Sequence, residues 1–100
     1  MNNRDLYQKV VGEVCKHTGY DEASIINRNI EGCVDARYIL VHMLGRCLTD
    51  EEISRETGMA RQSVNYIRNH FDSRMNKWSI RNLLFDISGK VCIFDTESSF

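Results

Sequence analysis

Apolar residues recur at helical intervals through the first three quarters of this chain and then change period. Leu6, Val10 and Val14 return every fourth residue with Val11 and Cys15 beside them, which predicts a helix over about residues 3–18 that buries one face. Gly19 ends it as a C-cap. Asp21 predicts the N-cap of a short second helix reaching Asn27, with Ile25 and Ile26 turned inward, and residues 28–32 read as a polar loop. From Cys33 to Cys47 the apolar side chains surround most of the circumference, so this third helix is expected at the centre. Asp35 in its first turn and Arg46 in its last would complement the helix dipole. Thr49 and Glu52 have the spacing of a capping box, so a fourth helix starts at Asp50, and Gly58 ends it. A fifth spans about Arg61 to Lys77, with Val64, Ile67, Phe71 and Met75 on one face.

Beyond Trp78, Phe85, Ile87, Val91 and Ile93 sit at spacings of two on either side of Ser88-Gly89, the pattern of a β-hairpin. The competing reading continues the fifth helix through Leu83 and Leu84. The expected fold is mainly α: about five helices with a helix-turn-helix, plus a C-terminal β-hairpin or helical extension. Residues 1–78 form the helical unit and 79–100 an extension packed on the same domain, with the last five residues frayed.

The helix-turn-helix is expected at residues 50–69. Two helices meeting at a steep angle need a small residue at the crossing, a turn residue tolerant of positive φ and apolar anchors on both sides. Ser54, Gly58, and Ile53, Thr57, Met59, Val64 and Ile67 supply these. That phase leaves Arg61, Gln62, Ser63, Asn65, Tyr66, Arg68 and Asn69 facing outward. Arginine can bond guanine, and asparagine or glutamine adenine, in the major groove of double-stranded DNA. Arg61, Gln62 and Asn65 are therefore the base-contact candidates. Arg68, Arg74 and Tyr66 are expected on phosphates, as is Thr49 at the preceding helix N-terminus.

Composition narrows the alternatives. With 42% apolar residues, 27% charged and no proline, the chain has the make-up of a helix-rich globular protein. Its net charge of −1 gives no general basicity, so any DNA contact must come from local asymmetry. Over residues 49–58, Asp50, Glu51, Glu52 and Glu56 against Arg55 leave −3; over 59–81, five cations against Asp72 leave +4. Cys15, Cys33, Cys47 and Cys92 are scattered and read as reduced core thiols, and Cys15 with His17 would point to different helix faces, so no metal or other cofactor is expected. His17, His42 and His70 lie in separate helices without a nucleophile motif, and Glu51 and Glu52 read as capping carboxylates, so no enzyme is expected. No apolar run approaches a membrane span and the polar N-terminus does not read as a signal sequence, which predicts a cytoplasmic protein.

The run Val34-Asp35-Ala36-Arg37-Tyr38-Ile39, followed by Glu52-Ile53, Gly58 and Val64, resembles the C-terminal DNA-binding domain of the bacterial replication initiator DnaA over roughly residues 6–70. That domain belongs with Trp repressor among helical helix-turn-helix folds. The resemblance implies that Arg28 occupies part of a basic loop approaching the minor groove and backbone, and that Arg61, Gln62 and Ser63 sit where the family contacts bases and phosphates. Met59-Ala60-Arg61-Gln62-Ser63 replaces the family's Arg-Asp-His-Thr-like signature, which implies the same docking with a changed sequence preference. The absence of a phosphate-binding loop sets aside an ATPase role for this chain.

The expected function is a DNA-binding module serving as a transcription regulator or an accessory factor of replication or of a mobile element. It would dimerise through the C-terminal extension, since one recognition helix buries little surface. A hairpin there, with Lys90 at its turn, would also suit a wing resting on the DNA backbone. The alternative is a non-catalytic protein-interaction module using the helical scaffold and the apolar tail.

Overall fold

The computed structural model describes residues 2–75, which form five helices: α1 (Asn3–Thr18), α2 (Glu22–Asn27), α3 (Glu31–Leu44), α4 (Asp50–Thr57) and α5 (Arg61–Met75). Residues 79–100, where the hairpin and the helical extension compete, lie outside the described residues. Local chemistry sets most helix ends. Asn2 accepts the Asp5 N–H at 2.8 Å and Asp21 the Ser24 N–H at 2.9 Å, each side chain satisfying an otherwise orphaned donor. Gly19 and Gly58 close α1 and α4 at φ of 82° and 80°. Thr49 and Glu52 form the expected reciprocal capping box.

The third helix departs from expectation at both ends. It begins at Glu31 rather than Cys33: Ile30 is its extended N-cap, the Val34 N–H donates to Ile30 O at 3.0 Å, and Gly32 lies in the first turn, where a Cβ would meet the end of the Tyr20 side chain. Asp35 is consequently a full turn inside the helix and buried. At the other end Leu44 is the last helical residue. The chain then tightens through Arg46 N–H to Met43 O at 3.3 Å and Cys47 N–H to Leu44 O at 3.0 Å. This carries Arg46 and Cys47 to the surface before Leu48 turns back into the core. Cys47 is thus an exposed thiol and not a core one; Cys33 is buried and Cys15 half-buried.

α3 is the central helix, packed against α1, α2 and α5, while α4 bridges α1 and α5. Tyr7, Val10, Val14, Ile25, Ile39, Leu40, Met43, Leu44 and Ile53 are fully buried. Each such side chain contributes about 1.5–3 kcal/mol by leaving water. Polar ties hold the outer helices in register. The Tyr7 hydroxyl donates to Glu22 at 2.5 Å between α1 and α2, and burial pushes that phenol well above its ordinary range. Asn3 donates to Glu52 at 3.0 Å and Arg4 pairs with Glu56 at 3.2 Å, which fastens α1 to α4. Among the described residues no helix is long and apolar enough to cross a membrane.

Candidate nucleic-acid interface

Residues 58–60 connect α4 to α5, and hydroxyl groups knit the connection. The Thr57 hydroxyl donates to Ile53 O at 2.7 Å and accepts the Met59 N–H at 3.1 Å; the Ser54 hydroxyl donates to Met59 O at 2.6 Å. Both polar groups of the Met59 backbone are therefore satisfied while its side chain is buried under the turn. Ser54 and Thr57, expected for their size and inward phase, also fix the turn's path.

Across residues 61–69 only Val64 and Ile67 are buried, and Arg61, Gln62, Ser63, Asn65, Tyr66, Arg68 and Asn69 are exposed as the phase predicts. They are not independent of their surroundings. Asp50, the first residue of α4, accepts from Arg68 Nη1 at 2.5 Å and from Asn65 Nδ2 at 3.3 Å; Asn65 Oδ1 in turn accepts from Asn69 at 3.1 Å. Asp50, Arg61, Gln62 and Asn65 line one depression of about 420 Å³. Tyr66 stacks on His70 with ring centroids 3.9 Å apart, and the His70 ring meets the Tyr66 carbonyl at 2.8 Å.

The remaining candidates occupy different settings. Thr49 is exposed, but its N–H is taken by Glu52 and its hydroxyl already accepts the Glu52 N–H. Asp50, Glu51 and Glu52 place three carboxylates in that first turn, where the helix dipole would otherwise favour a phosphate. The backbone hydrogen bond from Thr49 and the Asn3 amide hold the Glu52 carboxyl below its usual range. Arg74 is turned away from the exposed face of α5: its Nε donates to Asp35 at 2.7 Å and its guanidinium lies 4.8 Å from the Tyr38 ring centroid.

Arg28 is the C-cap of α2, with its side chain exposed in the loop before α3. The loop is held by Arg37 of α3, whose guanidinium donates to Ile25 O at 2.8 Å, Arg28 O at 2.5 Å and Asn29 Oδ1 at 3.4 Å. Between this loop and α5 runs a groove of about 660 Å³ with Ile26, Val34, Tyr38, Met59 and Ile67 on its apolar side. Asn29 and Arg37 stand toward the loop, and Gln62, Ser63 and Tyr66 on α5.

Sequence reasoning placed the outward face of α5 correctly but missed Asp50 as part of the site. Its only local signal is that of a helix-start carboxylate; its contacts with residues 15 and 18 positions later exist only once α4 crosses α5. Among the described residues no group of three His, Cys, Asp or Glu side chains is arranged to hold a metal ion. Comparison with known protein families, with curated proteins and with solved structures returns no match for this chain.

Proposed function

We propose that this chain is a sequence-specific double-stranded DNA-binding module, without catalysis of its own, that reads the major groove with α5 from Arg61 onward. One observation carries the reading: the seven non-core positions of residues 61–69, all polar or amphipathic, stand exposed on the second helix of a helix-turn-helix. Arg61, Gln62 and Asn65 have the donor and acceptor patterns that discriminate base edges. The resemblance to the C-terminal domain of DnaA supports the same docking, with Arg28, exposed in the loop before α3, as a backbone contact. A transcription regulator, or an accessory factor of replication or of a mobile element, would use such a module, and dimerisation would raise its affinity.

Fluorescence-polarisation binding over a salt series, to a pool of random duplexes and to a duplex selected from that pool by the native chain, tests the reading, comparing the native chain with Arg61→Ala and Gln62→Ala. Pool binding that weakens with salt, and binding to the selected duplex that falls about tenfold or more in the variants, is the expected result. A folded protein that fails to bind at low salt overturns it.

One observation favours a second reading, a non-catalytic protein-interaction module. Ile30 and Tyr66 are 42% and 57% exposed, a large apolar and an aromatic side chain on the surface. Loss of a protein partner, without change in DNA binding, on Ile30→Ser and Tyr66→Ser would favour that role.

A further inference from the structure

The two arginines of residues 61–69 are differently placed. Arg61 shares a depression with Gln62 and Asn65. Arg68 reaches back along α5 toward the turn after α3, where Gly45 leaves room for it: a Cβ there would lie 3.3 Å from the Arg68 guanidinium carbon. Its Nη1 ends on Asp50 at 2.5 Å, with the Arg68 side chain 37% exposed and that of Asp50 26%. The same carboxylate takes the Asn65 amide through its other oxygen. One acidic residue thus engages one of the two arginines of residues 61–69 and one of the three base-contact candidates.

We infer that Asp50 is a specificity-determining residue that withholds Arg68 and Asn65 from sequence-independent contact with DNA; the inference rests on the DNA-binding reading above. A phosphate arriving at Arg68 must displace a carboxylate already bonded to it. The exchange replaces one charge-assisted bond by another and leaves Asp50, beside Glu51 and Glu52, facing a further negative charge. On random sequence nothing offsets that repulsion. On a matching sequence, base contacts from Arg61, Gln62 and the released Asn65 do. The low net charge of the chain fits this division, because weak general attraction leaves recognition to directed contacts.

The test is binding of the full chain to a random duplex pool over a salt series, with Asp50→Asn, Arg68→Ala, the double variant, and Glu51→Gln. Glu51 faces Arg55 at 3.7 Å, so its neutralisation removes a nearby charge without touching Arg68. Asp50→Asn is expected to bind the pool about fivefold more tightly. Its log–log salt dependence should steepen by about one, as Arg68 neutralises an additional phosphate. Both effects should vanish in the Arg68→Ala background and be small in Glu51→Gln. Asp50→Ser, which removes the same charge with a smaller polar side chain, gives the same comparison if Asp50→Asn loses helicity by circular dichroism.

A gain that persists without Arg68 would show simple repulsion and overturn the inference. Native binding that is unchanged by Asp50→Asn overturns it while leaving the DNA-binding reading intact. Failure of every folded variant to bind overturns both.

Discussion

Asp35 and Arg74 are 39 residues apart in sequence and meet at 2.7 Å, joining the interior of α3 to the last turn of α5. Asp35 is only 13% exposed at its side chain, and the Arg74 guanidinium also covers the Tyr38 ring. This makes Arg74 part of the fold's fastening. Arg74→Ala is expected to lower stability by about 1–2 kcal/mol, because it removes a charge-assisted bond to a largely buried carboxylate. Urea denaturation measures it. A variant with native stability and reduced DNA affinity would return Arg74 to the phosphate role read from the sequence.

Thr57 ties the turn through its hydroxyl. Thr57→Val keeps the shape but leaves the Met59 N–H without the partner it has at 3.1 Å. The expected loss is about 1–3 kcal/mol, the range for an unsatisfied buried donor. Amide exchange at Met59 should accelerate in parallel; unchanged exchange would mean that the turn holds without this bond.

At Gly58 nothing stands within 4 Å of where a Cβ would be, so substitution there costs only the backbone's positive φ of 80°. Gly58→Ala should destabilise the chain by about 1–2 kcal/mol, and Gly58→Asn by less, since asparagine tolerates the left-handed region better. Denaturant midpoints ordered Gly, Asn, Ala check this. Equal midpoints for the two variants would contradict it.

His42 stacks on Phe71 with centroids 3.8 Å apart and planes 2° from parallel. Burial, with Arg46 adding to it, pushes the imidazole below its ordinary value of 6.5. The unfolded chain therefore takes up a proton near pH 6.5 while the folded chain resists it. The stability that His42 contributes is present above that pH and is lost as pH falls toward the folded-state value. The thermal midpoint should be lower at pH 5.5 than at pH 7.5, with the difference reduced in His42→Gln. An unchanged difference would assign the effect to other groups.

Elements with a directional pattern were legible in the sequence, and so were their ends. Leu6, Val10 and Val14 fix the phase of α1, and Gly19, Asp21, Thr49, Glu52 and Gly58 cap helices through contacts within a few residues. α3 was legible as central, but its ends were not, because a helix apolar around most of its circumference offers no phase that stops. Gly32 read as loop when it in fact makes room for Tyr20. The exposed face of α5 followed from Val64, Ile67 and Phe71. Asp35 with Arg74 and Asp50 with Arg68 were invisible, since long-range polar pairing leaves no periodic trace. The paired residues become neighbours only through the packing of α3 and α4 on α5.

Arg37 bonds two main-chain carbonyls around the bend between α2 and α3, so much of that bend's course is dictated from α3 and not by the bend's own side chains. Arg28 can therefore be exchanged without redirecting the main chain. Such a separation of mount from fitting makes the segment a natural place for variation among descendants of this sequence, and for grafting new contacts onto an otherwise unaltered scaffold.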